Sequence, residues 1–176
     1  SIVLNGGTLL ATSDMTLNSL RGISLGASGG GLSADPGRTL TYAGIVANAS
    51  DSTGSLTKSG AGTLVLSGAN TYSGGTITSA GTLSISSDAN LGAVPGSVTA
   101  SSINLNGGTL LITADMTLNS NRGITLGSSS TINVDTGVTL VYAGIITDGN
   151  NSNGLTKAGA GTLKLAAANT YDGGTT

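Results

Sequence analysis

Short alternations of apolar and polar residues run along the whole chain, and each follows a turn rich in Gly, Asn, Ser or Asp. The recurrent phrase is Gly-Thr-Leu-x-apolar, as at residues 62–66, 81–85 and 161–165. No window has the period of an amphipathic helix. The pattern therefore predicts an all-β chain built from many strands of about three to five residues.

The chain also repeats itself over a long period. Residues 1–10 return as residues 102–111, a step of 101 residues that shortens to 100 and then to 99 farther along. Loops absorb such single-residue changes in length more easily than packed strands do. We therefore expect two tiles of one continuous solenoid, the first at residues 1–101 and an incomplete second at residues 102–176.

Exchanges between the two tiles separate inside from outside. Val65 in the first tile is Lys164 in the second, while the flanking residues are leucine in both. Because neighbouring strand residues point to opposite faces, position 65 faces solvent and its two neighbours face the core. Apolar exchanges mark the core and mixed exchanges mark the surface: Leu32 to Ile132, Ala34 to Val134 and Val46 to Ile146 for the core, Leu20 to Asn121 and Arg38 to Val138 for the surface.

The spacing of the Gly-Thr-Leu phrases predicts the size of a coil. It gives about 20 residues per coil, about five coils per tile and roughly nine coils in the chain. Strands of successive coils would stack about 4.8 Å apart, which gives a rod of roughly 40 Å. Neither end of the sequence contains a recognisable cap, so we expect the 176 residues to be an excerpt of a longer protein or a unit of a polymer.

Composition excludes several classes of partner. Six Lys and Arg against eight Asp leave no basic stripe that could bind a nucleic acid. Cysteine is absent, so backbone ladders and burial have to hold the fold without disulfides. No apolar run approaches the roughly 20 residues of a membrane helix, and we predict no transmembrane segment in this chain.

Two stretches resemble a known family. Residues 60–76 read Gly-Ala-Gly-Thr-Leu-Val-Leu-Ser-Gly-Ala-Asn-Thr-Tyr-Ser-Gly-Gly-Thr, and much of this phrase returns at residues 159–165 and 168–175. The phrase resembles the autotransporter-associated β-strand repeat in passenger regions of type V secreted bacterial proteins. The resemblance implies a right-handed parallel β-helix, exported through the outer membrane of a Gram-negative bacterium and displayed on or released from the cell surface. It brings no catalytic residues with it.

The residue types needed for most catalysis are missing. His, Cys and Glu are absent, and with them the usual general bases, thiolates and imidazole ligands. One catalytic arrangement is left open, a cluster of Asp with Lys or Arg as in pectate-lyase-like enzymes, and its candidates are Asp14, Arg21, Asp115 and Arg122. We favour the alternative that each Asp caps a turn and each Arg covers the side of the rod. The sequence therefore predicts no enzyme, no catalytic residue and no cofactor.

Two loops invite a ligand interpretation. Residues 148–154 set oxygen-bearing side chains at alternate positions, as calcium loops do, but they lack the distal bidentate Glu. The matching residues 48–54 space their single carboxylate differently, so we favour Asx turns and predict no metal site. Residues 27–31 are rich in glycine, but no Lys follows and no helix begins there, so we expect a variable turn instead of a phosphate loop.

The only aromatic side chains are Tyr42, Tyr72, Tyr142 and Tyr171. Exposed tyrosines can stack on sugars, but we favour buried corners in which Asn70 and Asn169 bond neighbouring backbone. Outward threonine pairs at residues 39 and 41 and at residues 76 and 78 are typical of ice-binding solenoids. Because such pairs do not recur at each coil, we do not expect an ice-binding face.

The sequence thus predicts a non-catalytic structural or adhesive segment, a rigid β-helical stalk or filament at a bacterial surface. A glycan-binding β-helix module is the first alternative, and a carbohydrate-active enzyme on the same fold is the second. The expected partners are neighbouring tiles or identical copies stacked end to end, together with a surface glycan or a protein receptor.

Overall fold

Frequent turns divide the chain into short strands. A computed structural model describes residues 1–149 and 151–176, and within them it forms twenty strands and one short 3₁₀ helix. The strands are β1 (Ile2–Leu4), β2 (Thr8–Ala11), β3 (Met15–Leu17), β4 (Ile23–Leu25), β5 (Gly30–Ala34), β6 (Thr39–Tyr42), β7 (Val46–Asn48), β8 (Leu56–Ser59), β9 (Thr63–Leu66), β10 (Thr76–Thr78), β11 (Thr82–Ile85), β12 (Thr99–Asn106), β13 (Thr109–Ile112), β14 (Met116–Leu118), β15 (Arg122–Ser128), β16 (Ser130–Val134), β17 (Thr139–Tyr142), β18 (Ile146–Thr147), β19 (Leu155–Ala158) and β20 (Thr162–Leu165). The helix is Asp88–Leu91.

The strands stack in parallel from one coil to the next. After β4, β5 and β6 the chain returns as β7, which pairs with β4, so one turn holds three strands. Two sheets of seven strands, β2-β5-β8-β10-β12-β15-β18 and β3-β6-β9-β11-β13-β16-β19, extend through both tiles. Two three-stranded sheets, β1-β4-β7 and β14-β17-β20, complete the described strands. The predicted parallel β-solenoid is confirmed.

The predicted coil size was wrong. The structure has about 7 turns of about 23 residues, where the sequence predicted roughly nine of about 20. The Gly-Thr-Leu phrases at residues 62 and 81 are 19 residues apart, and they lie on the shortest described coil, in which Thr63 pairs with Thr82. The next coil is longer, since Thr82 pairs with Thr109 and a loop intervenes. Gly-Thr-Leu spacing therefore underestimates the coil wherever a loop projects from the rod.

The two tiles are rotated relative to each other about the rod. Strands β1 and β12 carry equivalent sequence, yet β1 stacks with β4 and β7, whereas β12 stacks on β10 in the sheet that contains β2. The same displacement by one face holds for β13 relative to β2 and for β14 relative to β3. A tile therefore contains four turns and one third of a turn, instead of the predicted five. Equivalent positions of successive tiles point in directions that differ by a third of a turn.

In strands such as β6, β9 and β17, alternate residues fill the core, as predicted, whereas all five residues of β5 are buried. Leu64 and Leu66 are buried, Val65 between them is half-buried, and its counterpart Lys164 is exposed. The apolar exchanges at 32/132, 34/134 and 46/146 all fall on buried residues, while Leu20 and Arg38 are exposed. The core is a narrow column of Leu, Ile, Val and Ala, together with Tyr42, Tyr72 and Tyr142, that continues from coil to coil. Burial is thus shared among neighbouring coils.

The 3₁₀ helix Asp88–Leu91 was not predicted. Ser87 caps its start, and its side chain accepts a 3.3 Å hydrogen bond from the Ala89 amide. The Asn90 side chain accepts from the amides of Ser86 and Ser87, which completes a capping box. The helix exits at Gly92, where φ is +83° and a Cβ would collide with the Tyr72 carbonyl oxygen. A single turn carries no periodic hydrophobic signal, so the pattern could not reveal it.

Candidate functional site

The acidic candidates bond to the backbone of the neighbouring coil. An Oδ1 of Asp14 accepts a 2.9 Å hydrogen bond from the Thr39 amide, and Asp115 accepts one of 2.7 Å from the Thr139 amide. Each carboxylate therefore satisfies a backbone donor of the following coil, instead of the local turn that the sequence predicted. Within residues 1–149 and 151–176, the structure gathers no group of three or more acidic side chains that could hold a metal ion.

The two arginine candidates differ from each other. Arg21 is exposed, as expected of a residue on the rod surface, whereas Arg122 is only 1% exposed. The prediction that Arg122 covers the side of the rod was therefore wrong. Its carboxylate partner is Asp88, with Nε 2.9 Å from Oδ1, and not its tile neighbour Asp115. The sequence candidates thus do not form the Asp and Arg cluster that an enzyme of this kind would need.

Arg122 occupies a socket built by the end of the first tile. Its Nε and Nη2 donate to the two carboxylate oxygens of Asp88 at 2.9 and 3.2 Å. Nη1 donates to the carbonyl oxygens of Leu91 and Ala93, and Nη2 also donates to those of Gly92 and Asp88 at 2.7 and 3.2 Å. A buried guanidinium is tolerated because its donors are matched by acceptors and its charge is paired. The second tile is thereby fastened to the first.

Lys58 is a second buried cation that sequence reasoning missed. Its Nζ donates to the carbonyl oxygens of Ser59 and Gly60, both at 2.7 Å, and to that of Ala80 in the next coil at 3.0 Å. Burial lowers the pKa of Lys58 to about 8. Strand parity could have found it, because Lys58 follows buried Leu56 by two residues and so faces inward.

The tyrosines form corners, as predicted. The Tyr42 hydroxyl donates to the Arg21 carbonyl oxygen at 2.8 Å, and the Tyr142 hydroxyl donates to that of Arg122 at 2.6 Å. A second pattern joins the Tyr72 hydroxyl to Thr76 Oγ1 at 2.6 Å, and it recurs between Tyr171 and Thr175 at 2.6 Å. Burial raises the pKa of Tyr42 and of Tyr72, and raises that of Tyr142 to about 12. The three buried rings, Tyr42, Tyr72 and Tyr142, offer no face to a sugar.

Asparagine side chains link these corners to the backbone, as the sequence predicted. Asn70 Oδ1 accepts from the Val46 amide at 2.8 Å, and its Nδ2 donates to the Asn90 carbonyl oxygen at 2.6 Å. Asn169 accepts from the Ile146 amide at 2.9 Å in the second tile. Each amide side chain therefore replaces ladder bonds where a strand is interrupted.

The loop at residues 148–154 behaves as a turn, although Asn150 lies outside the described residues. Asp148 Oδ2 accepts hydrogen bonds from the Asn153 and Asp172 amides, both at 3.2 Å. The Asp172 amide is the main cause that lowers the pKa of Asp148. In the matching loop, Asn48 Oδ1 accepts from the Ser73 amide at 2.8 Å. These bonds reach across the loop or to the neighbouring coil, so they differ from the local Asx turns that we favoured.

The glycine-rich residues 27–31 and the threonine pair at residues 76 and 78 differ from their predictions. Residues 27–31 are only partly a turn, because Gly30 and Gly31 begin β5 and are buried. A Cβ at Gly30 would collide with Leu4, which explains the small residue there. Thr76 and Thr78, predicted to face outward, are buried, so they form no part of an exposed threonine row.

A shallow groove lies beside the loop that follows the 3₁₀ helix. Its volume is about 200 Å³, and residues 73–75, 93–95 and 99–102 line it. These residues include no aromatic and no charged side chain. The groove therefore has neither a stacking platform nor an ionic partner for a sugar. In the part of the chain that the structure describes, no helix is both long and apolar enough to span a membrane.

Comparison with known proteins identifies a family of repeats and a relative. Residues 56–85 and 155–176 match the model of the passenger-associated-transport-repeat family. Over 152 residues, 85% of its length, the chain is 38% identical to the adhesin BmaC autotransporter of Brucella suis biovar 1 (strain 1330). The chain spans only 4% of the length of that relative. No solved structure matches the chain significantly. The resemblance predicted from the sequence is confirmed: residues 56–85 and 155–176 carry passenger-associated transport repeats, and the chain is similar to an autotransporter adhesin.

Proposed function

We propose that the chain is a rigid, non-catalytic segment of an adhesive passenger, displayed at the surface of a Gram-negative bacterium. The observation that carries this proposal is the pair of seven-stranded sheets that pass from the first tile into the second without a break. A continuous ladder gives reach and stiffness, which suit a stalk that holds contact surfaces away from a cell. The relative's description as an adhesin autotransporter supports the adhesive part.

The rotation between tiles adds to this role. A surface feature that recurs in every tile points to each of the three faces in turn, so a rod offers it around its whole circumference. Ile45 and Ile145 are such a feature, since both are exposed apolar residues, at 51% and 45%, at equivalent places. A weak contact repeated along a rod gains avidity without any single deep pocket. Such a display would let the rod adhere through many weak contacts.

Small-angle X-ray scattering tests the rod. We expect an elongated particle whose length grows by about 21 Å for each added tile, because a tile is four and one third turns at about 4.8 Å per turn. A particle whose maximum dimension does not grow with tile number would contradict the stalk.

Display on an inert cell tests adhesion. We expect cells that carry the segment to attach to host cells or matrix more strongly than cells that carry the bare scaffold. Ile45→Ser together with Ile145→Ser should reduce attachment at unchanged display density, whereas Val65→Lys, which copies the lysine of the second tile, should not. Attachment no stronger than that of the scaffold would overturn the adhesive role. Polysaccharide cleavage abolished by Asp115→Asn would overturn the non-catalytic one.

A further inference from the structure

The Arg122 socket joins two different tiles. Arg122 begins β15 in the second tile, whereas Asp88 and the carbonyl oxygens of residues 91–93 belong to the first. Neighbouring contacts reinforce this junction, since Asn121 Nδ2 donates to the Pro95 carbonyl oxygen at 2.9 Å and the Asn119 amide donates to Asp88 Oδ1 at 3.1 Å. The junction is thus a specific set of polar contacts between residues 88–95 and residues 119–122.

The turn that carries Arg21 has the same backbone hydrogen bonds as the turn that carries Arg122. The Arg21 amide donates to the Asn18 carbonyl oxygen at 3.0 Å, as the Arg122 amide does to that of Asn119. The Asn18 side chain accepts from the Leu20 amide at 2.8 Å, and that of Asn119 accepts from the Asn121 amide at 2.9 Å. A tyrosine hydroxyl from the next coil holds the carbonyl group of each arginine. The turn at Arg21 is therefore preorganised in the geometry that the second tile uses.

The two turns differ at one residue and in the surroundings of their side chains. Arg21 is exposed, and Leu20, in the place of Asn121, is 93% exposed. Together with Ser1 and Asn18 they line an open hollow at this end of the rod. An arginine beside a fully exposed leucine, on a turn already set for docking, has the composition of an uncovered interface.

We propose that Asn18, Leu20 and Arg21 form a docking surface for the end of a preceding tile of the same solenoid. The occupant is a segment with the chemistry of residues 87–93, in which an Asp carboxylate and the carbonyl oxygens at the exit of a one-turn helix surround the guanidinium. Arg21 takes the place of Arg122 in that socket, and Leu20 packs near the Val-Pro pair that follows it. This proposal goes beyond the adhesive role, because it concerns how tiles join and not what the rod contacts.

The internal junction also favours a preceding tile over a second copy of this chain. In a second copy, residues 88–93 already bind that copy's own Arg122. Offering them to another molecule would open that junction and leave a buried guanidinium without partners, which is costly. The test therefore has to distinguish docking of a preceding tile from stacking of identical copies.

An extended chain tests the proposal. Residues 1–101 are placed ahead of Ser1, so that Ser101 joins Ser1 as it naturally joins Ser102. Arg21→Ala, made in the tile that follows the addition, should lower the midpoint of thermal unfolding by several degrees, as Arg122→Ala does. The same substitution in the 176-residue chain should leave the midpoint within about 1 °C, because the side chain there is exposed. Arg38→Ala, at an exposed arginine away from the junction, serves as the matched control in both chains.

Hydrogen exchange supplies a second readout if the extended chain unfolds in steps. We expect the amides at Leu20 and Arg21 to gain protection when the added tile is present, and to lose it when Asp88 of that tile is replaced by Asn. The proposal would be overturned if Arg21→Ala shifted the midpoint of thermal unfolding equally in both chains and the added tile left the protection of the two amides unchanged. A concentration-dependent mass of the 176-residue chain that Arg21→Ala abolishes would instead assign the surface to a second copy. Neither readout depends on adhesion or rod length.

Discussion

Lys58 and Ala80 lie on neighbouring coils, and the Lys58 ammonium donates a hydrogen bond of 3.0 Å to the Ala80 carbonyl oxygen. Burial lowers the pKa of this lysine from 10.5 to about 8 in the folded protein. Between these two values the unfolded chain binds a proton that the folded chain releases, so the free energy of unfolding rises with pH in this window. We expect this rise in denaturant unfolding measured from pH 8 to pH 10.

Lys58→Met removes the titrating group and should flatten the rise, whatever it does to the absolute stability. Lys164→Met is the control, because Lys164 is an exposed lysine on the strand β20. The control should keep the pH dependence of the unmodified chain. A slope that survives Lys58→Met would show that another group causes it.

Tyrosine burial predicts the opposite trend at higher pH. The pKa of Tyr142 rises to about 12 in the folded protein, from 10.0 for an ordinary tyrosine. Above pH 10 the unfolded chain therefore releases a proton that the folded chain retains, and stability falls as the pH approaches 12. Tyr142→Phe should reduce this fall in alkaline unfolding curves. An unchanged alkaline slope in that variant would contradict the assignment.

Breaking the tile junction should cost far more than altering its exposed counterpart. Arg122→Ala leaves Asp88 and several carbonyl groups without their cation, and removal of one partner of a buried pair typically costs about 3–5 kcal/mol. Arg21→Ala in the same chain changes an exposed side chain and should stay within about 0.5 kcal/mol. Denaturant unfolding of the two variants measures the contrast. Equal losses would mean that the buried contacts of Arg122 contribute nothing specific.

This contrast also shows what the sequence could and could not predict. Alternation within a strand is local, so the buried Leu64 and the outward Val65 could be assigned by comparing the two tiles. Arg21 and Arg122 occupy equivalent places in those tiles, and the comparison treated them alike. Their environments differ because Asp88 binds Arg122, although the two residues are 34 positions apart in the sequence. The register between coils brings them together, and a local pattern does not reveal that register.

The coil count failed for a related reason. A phrase in the sequence marks a strand but not the length of the loop before the next strand on the same face. Thr76 pairs with Ile103, 27 residues later, whereas Thr63 pairs with Thr82, only 19 residues later. A turn has three faces, and a tile ends one face beyond a whole number of turns. Successive tiles are therefore rotated, and a local sequence pattern does not predict this rotation.

Truncation of Asn70, whose side chain replaces ladder hydrogen bonds, should lower the stability of the fold. Asn70→Ala leaves the buried Val46 amide and the Asn90 carbonyl group without this partner, and each unsatisfied buried group costs about 1–3 kcal/mol. Asn169→Ala removes the equivalent bond to Ile146 at a partly exposed position, so its cost should be smaller. Thermal unfolding compares the two variants. A larger loss for Asn169→Ala would contradict this order.

The assignment of inside and outside on β9 predicts opposite responses at adjacent positions. Leu64 is fully buried, and truncation of a buried leucine to alanine typically costs about 2–5 kcal/mol through lost burial and the cavity left behind. Val65→Lys places on the outer face the residue that the second tile already carries there, and surface substitutions usually stay within about 0.5 kcal/mol. Chemical denaturation of Leu64→Ala and Val65→Lys measures both effects on one strand. The strand β9 pairs with β6 on one side and with β11 on the other. The cavity at Leu64 should therefore weaken both interfaces and increase the rate of amide hydrogen exchange in all three strands. A Val65→Lys loss as large as that of Leu64→Ala would show that this face is covered in solution, and that the rod has a contact there.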